Sequence, residues 1–127
     1  MSYLPGCDDL DGYDWVAVDL DGTLAQYDKF RGALDIREPV PIMVERVRRW
    51  IREGRKVCIY TARVAPGASD GRDVVAVRKA IQDWCSLYLG RALPITCIKH
   101  HGIAEFWDDR AYRVEKNTGR LLPGQPL

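Results

Sequence analysis

Asp19 and Asp21 are the residues of this chain best suited to chemistry, in the stretch Asp19-Leu20-Asp21-Gly22-Thr23-Leu24 directly after Trp15-Val16-Ala17-Val18. Four apolar residues with two valines read as a short, buried strand. The two acids then stand at its carboxyl end, where open α/β sheets build their active sites. Two positions apart on extended backbone, their side chains leave the same face. Gly22 lets the chain break sharply out of the strand. One carboxylate can serve as nucleophile and its neighbour can move protons. The chain also holds a control for this reading: Asp9-Leu10-Asp11-Gly12 repeats the tetrad with no apolar run before it, and reads as a solvated turn. Neither copy continues as a calcium-binding loop closed by a Glu.

Other polar groups follow apolar segments in the same way. Lys56-Val57-Cys58-Ile59-Tyr60 runs into Thr61-Ala62-Arg63, Ile95-Thr96-Cys97-Ile98 into Lys99, and Ala104-Glu105-Phe106-Trp107 into Asp108-Asp109-Arg110. If these segments are parallel strands, their ends share one sheet edge. Three or four carboxylates gathered there repel one another unless a cation joins them, and an all-oxygen site with room for water suits Mg²⁺. Thr61 and Lys99 offer a hydroxyl and a positive charge to a phosphate oxygen.

The elements that must position these groups are legible from periodicity. Pro39 and Pro41 mark a helix start, and Met43, Val47, Trp50 and Ile51 lie on one helical face that ends at Gly54. A second helix is expected from about Arg72 to Leu89, with Val74, Val77, Ile81, Trp84, Cys85 and Tyr88 as its stripe and Gly90 as its stop. Residues 22–38 read as a loop or small hairpin flap beside the acids, and 64–71 as a second loop. Tyr112-Arg113-Val114 is a candidate edge strand. The strand–helix alternation predicts an α/β fold, a single domain over 1–127 with four to five mainly parallel strands and helices on both faces. Residues 1–14 are expected to form a loosely attached polar arm and 119–127 a flexible tail.

With these segments in place, the chain resembles the haloacid dehalogenase (HAD) superfamily of phosphatases and phosphotransferases. Four short motifs carry the resemblance, in order, across 15–110: Val16-Ala17-Val18-Asp19-Leu20-Asp21-Gly22-Thr23, Val57-Cys58-Ile59-Tyr60-Thr61, Lys99, and Phe106-Trp107-Asp108-Asp109. The resemblance implies a Rossmann-like core and a Mg²⁺-dependent phosphomonoester hydrolase. Asp19 is then the nucleophile that forms an aspartyl-phosphate, and Asp21 the general acid and base. Thr61 and Lys99 orient the phosphoryl group. Thr23, Ala62 and Arg63 contact substrate. Asp19, the Asp21 backbone carbonyl and Asp108, with Asp109, hold the metal, Asp108 being favoured over Asp109 as the direct ligand. The stretches 24–60 and 62–98 leave no room for the separate cap domain of many members. Members without a cap act on large substrates or complete their sites by oligomerising, so a homo-oligomer is one expectation. His100-His101 lies outside the family pattern.

Bland readings stand beside each of these. Thr61 can cap a turn, Lys99 can be a surface lysine, and His100-His101 can be a loop pair on the rim. Arg46, Arg48, Arg49, Arg52, Arg55 and Lys56 form a basic run that reads first as a solvated helix face. The net charge of +1 gives no global pull toward nucleic acid or anionic membrane. No apolar stretch is long enough for a membrane span and the first residues do not form a secretory signal. The four cysteines, Cys7, Cys58, Cys85 and Cys97, lack metal-site spacing and read as reduced thiols, which fits a cytoplasmic protein. Alternatives to the hydrolase are a phosphotransferase, a polynucleotide end-processing phosphatase, and a non-catalytic phosphate- or metal-binding module on the same scaffold. The substrate itself has no readable code.

Overall fold

The computed structural model describes residues 6–67 and 70–125. Four strands, β1 (Trp15–Asp19), β2 (Lys56–Tyr60), β3 (Ile95–Thr96) and β4 (Ile103–Trp107), form one sheet in the order β3-β2-β1-β4, with every pairing parallel. Two helices, α1 (Pro41–Arg52) and α2 (Val74–Leu89), supply the crossovers, and a 3₁₀ turn at Ala62–Val64 follows β2. The fold is α/β, and no cap is evident among the described residues.

Local chemistry sets the helix ends. Pro41 occupies the first turn of α1, where a missing N–H costs nothing. Asp73 caps α2 by accepting from the Val75 and Ala76 amides, so this helix starts two residues later than the periodicity suggests. Gly90, at φ 85°, ends it in the left-handed conformation.

Both helices lie on one face of the sheet, which corrects the expectation of helices on both. The core cluster joins Val16, Val18, Val57, Ile59 and Ile95 of the strands to Met43, Val44, Val47 and Trp50 of α1 and Val77, Ile81, Trp84, Cys85 and Leu89 of α2. The steps β1→β2 and β2→β3 cross the sheet in the same direction, and right-handed crossovers then put both helices on the same side. The connection from β3 to β4 spans only 97–102 and holds no helix. The second face therefore carries Ala17, Cys58 and Phe106, aligned across three strands, under loops alone.

Other boundaries differ for identifiable reasons. β3 stops at Thr96 because the Thr96 hydroxyl accepts from the Ile98 amide and meets His100 Nε2, turning the chain. Lys99 consequently sits in a loop beyond the strand. The expected edge strand at 112–114 is a single bridge, Val114 to Leu121, in a small hairpin also closed by Glu115 N–H to Arg120 O (2.7 Å) and Leu122 N–H to Arg113 O (3.0 Å). That pairing gives part of the expected tail a fixed place; residues 126–127 lie outside the described residues. The N-terminal arm is docked from Gly6 onward. Cys7 is buried, Asp8 pairs with Arg78, and Asp8 and Ile95 exchange two hydrogen bonds. Residues 1–5 of the arm, and residues 68 and 69 of the expected loop 64–71, also lie outside the described residues.

Candidate active site at the carboxyl edge of the sheet

The strand order reverses between β1 and β4: β2 and β3 follow on one side of β1, and β4 lies on the other. In parallel sheets, ligands settle in the crevice outside such a switch point. Asp19 closes β1, and Asp108 and Asp109 follow β4, so the three acids flank that crevice. One carboxylate oxygen from each lies within 4.8 Å of the others.

The turn after β1 is built to allow this approach. Leu20, Leu24 and Ala25 are fully buried, and the Leu24 and Ala25 amides both donate to Leu20 O, drawing the chain back. Gly22 has φ 87°, and a Cβ there would lie 2.6 Å from Asp109 Oδ2. Only glycine meets both demands. The Thr23 hydroxyl stands between the acids, 3.1 Å from Asp19 Oδ2 and 3.3 Å from Asp109 Oδ1, and accepts from the Asp109 amide at 3.0 Å. Its single proton serves one carboxylate at a time. Burial, then the charge of Asp108, then a hydrogen bond with Asp109 push the Asp19 carboxyl up to about 7. Three converging carboxylates with two of them exposed form an all-oxygen donor set, the kind that holds a hard divalent cation.

A cavity of about 700 Å³ opens over this cluster. Asp19, Asp21, Thr61, Ala62, Arg63, Asp108 and Asp109 all line it, so most of the residues singled out in the sequence converge there. Lys99 does not line it. Its ammonium lies 5.7 Å from the centre of the Phe106 ring, in an adjoining cavity. His100 bonds Thr96 and His101 packs edge-on against Tyr13, so both histidines belong to the β3–β4 connection.

Two residues have a different occupation from the one expected. The Thr61 hydroxyl accepts from the Arg63 amide at 3.1 Å, capping the 3₁₀ turn; its own proton remains free to donate. Arg63 is 5% exposed and donates to both oxygens of Asp21, Nε to Oδ2 at 2.8 Å and Nη2 to Oδ1 at 2.9 Å. It also donates to Ala33 O at 2.8 Å and Asp35 O at 3.0 Å. The guanidinium thus clasps Asp21 to the 32–35 loop. That loop belongs to the flap, whose base pairs as Gln26 N–H to Glu38 O and Val40 N–H to Leu24 O, and which Trp84 holds through Arg37 O. The flap reading stands, and Arg63 fastens it.

Arg110 is a cavity residue that the sequence motifs did not single out as a contact. Its backbone amide donates to Asp108 Oδ1 at 2.9 Å, while its guanidinium has no carboxylate within ion-pair distance among the described residues. Adjacency to the acid pair was the signal available for it. Tyr27, Phe30 and Arg72 also line the cavity; Arg72 is tied to Asp70 and lies over Phe30. Tyr27 and Phe30 come from the flap expected beside the acids and Arg72 from the segment before α2, although no motif singled out these three side chains.

No family model matches the chain, and no curated protein matches it. One solved structure is similar, described as the structure of a conserved protein coded by a locus from Bacteroides thetaiotaomicron. The likeness has 23% identity and a TM-score of 0.51, and covers 79% of this chain and 78% of that one. At that identity the likeness speaks for the fold.

Proposed function

We propose that the chain is a Mg²⁺-dependent phosphomonoester hydrolase of HAD type, with a Rossmann-like core and Asp19 as nucleophile. The observation that carries this reading is the convergence of Asp19, Asp108 and Asp109 at the topological switch point, with ligand oxygens within 4.8 Å. The ordered motifs of the HAD resemblance support it. A bound Mg²⁺ would be held by these carboxylates, with the Asp21 backbone carbonyl beside them, and would supply positive charge to offset the phosphoryl oxygens.

An Asp19 oxygen attacks phosphorus and the bond from phosphorus to the leaving oxygen breaks. Asp21 gives that oxygen its proton. Water then attacks the aspartyl-phosphate, Asp21 takes a proton from it, and the Asp19–phosphorus bond breaks to release inorganic phosphate. Arg110 is the cation best suited to the phosphoryl oxygens, because Arg63 and Arg72 already hold carboxylates. The Thr61 hydroxyl donates alongside it. Lys99 serves the neighbouring cavity in this reading. Because Arg63 donates to both Asp21 oxygens, delivery of the Asp21 proton to the leaving oxygen requires one of those bonds to open.

The same clasp is the observation that favours a second reading, a non-catalytic phosphate-binding module. Hydrolysis of an aryl phosphate distinguishes the two. Turnover that needs Mg²⁺ and vanishes in Asp19→Asn, with the fold intact by circular dichroism, supports the hydrolase. Phosphate binding by wild type with no turnover of aryl, acyl or alkyl phosphates would leave the module.

A further inference from the structure

A second cavity, of about 690 Å³, adjoins the first along Tyr60, Asp108 and Ala111, which line both. It lies where the helix-free face of the sheet meets the open edge of β4. The Tyr60 and Phe106 rings stand 5.4 Å apart on neighbouring sides of β1, and Tyr112 joins them from the following loop. Phe106 is 38% exposed and Tyr112 54%. Lys99 and Arg113 supply two cations, and neither has a carboxylate within ion-pair distance among the described residues. The nearby acid Glu105 is already engaged by Arg55 and by the Trp107 indole N–H.

We infer that this second cavity seats the leaving group of the substrate, and that the leaving group is a nucleoside, free or at the end of an oligonucleotide. The inference rests on the phosphomonoesterase reading and names its substrate class. Exposed aromatic faces interleaved with unpaired cations are the arrangement that stacks bases while neutralising backbone phosphates. Asp108, Tyr60 and Ala111 border both cavities, so a substrate whose phosphate lies over Asp19 has the aromatic cavity directly beside its leaving group. In the step itself, the bond from phosphorus to the nucleoside oxygen breaks as the Asp19–phosphorus bond forms. The nucleoside oxygen takes the Asp21 proton and leaves along Tyr60 toward Phe106. With no cap evident among the described residues, the wall that a lid would supply to the leaving group comes from the sheet face itself.

The test compares kcat/KM for adenosine 5′-monophosphate, adenosine 3′-monophosphate, a 5′-phosphorylated oligothymidylate and glycerol 2-phosphate, using the full chain with Mg²⁺. Nucleotides should exceed glycerol 2-phosphate by about 10-fold, mainly through KM, as expected for one base–aromatic stack. Phe106→Leu, which keeps the apolar bulk and removes the ring, should lower that ratio by about the same factor. Lys99→Gln separates the sources: a larger loss on the oligonucleotide assigns a strand end, and equal losses assign the free nucleotide. A ratio near one, or one indifferent to Phe106→Leu, overturns the subsite and leaves the hydrolase standing. If no phosphate is turned over, aromatic proton spectra with adenosine 5′-monophosphate decide. Shifts of the Phe106 and Tyr112 rings keep the nucleotide site while the hydrolase falls, and unshifted rings overturn the site. A solution dimer that buries these rings also overturns it.

Discussion

Replacing Asp19 by Asn should stabilise the metal-free protein while removing its chemistry. The folded-state carboxyl is raised from 3.8 to about 7 by burial and by Asp108 and Asp109, so its ionised form is disfavoured in the fold. At about 1.4 kcal/mol for each pK unit, the rise sets a ceiling of roughly 4 kcal/mol. Asp19 is partly open to solvent, and screening brings a realistic figure down to about 1–2 kcal/mol. The sign follows from proton counting. Between the unfolded value near 4 and the folded value near 7, the folded state binds more protons, so stability falls as pH rises through that window. Above it both states are ionised and the penalty is constant; below it both are protonated and there is none. Asn carries no charge and keeps an oxygen for the Thr23 hydroxyl, so it escapes the penalty. With an unfolding entropy of about 2.1 cal/mol/K per residue, 1–2 kcal/mol in this chain corresponds to a Tm gain of roughly 4–8 °C. Thermal unfolding in a chelator at about pH 8 should show that gain, and at about pH 5 a smaller one. Millimolar Mg²⁺ should narrow it by stabilising the wild type through binding. A variant no more stable than wild type in chelator, or a gain that does not grow with pH, would refute the account of the cluster. Equal stabilisation of both proteins by Mg²⁺ would remove Asp19 from the ion's ligands.

Gly22→Ala should displace Asp109, because the added methyl meets its carboxylate; Mg²⁺ titration followed by thermal shift should then show weakened binding with the sheet intact. Arg63→Ala strands Asp21 and two or more flap carbonyls and should cost about 3–5 kcal/mol in urea denaturation, with Arg63→Lys recovering only part because it lacks the fork. An unchanged midpoint would show that the clasp does not hold the flap. Asp21→Asn should slow alkyl phosphates by about 10²–10⁴-fold and aryl phosphates much less; equal losses would contradict its acid–base role. Burial pushes the Cys58 and Cys85 thiols up to about 12, so both should resist alkylation in the native protein at neutral pH and react once it is unfolded. Rapid native labelling of either would place it at the surface.

The sequence by itself determined the parts that rest on local pattern. Short β-branched runs made β1 and β2, Pro41 and Gly90 bounded helices, and the order of strands and helices required a parallel sheet with right-handed crossovers. Those rules also drew Asp19, Thr61 and Asp108 to one edge, because every parallel strand ends on the same side. Tertiary structure decided what depends on the order of strands and on contacts between distant segments. Both helices share a face because β1, β2 and β3 advance in one direction, which no local pattern encodes. Lys99 left the acid cavity because the Thr96 hydroxyl turned the chain early, and the loop then had to descend the second face to reach β4. Arg63 joined Asp21 across 42 residues, where a buried charge needs a partner and the nearest carboxylate was not a substrate's. The aromatic cavity likewise exists only because β2 and β4 flank β1, bringing Tyr60 to Phe106. Periodicity identifies which face a side chain leaves; only the packed sheet decides which side chain it meets.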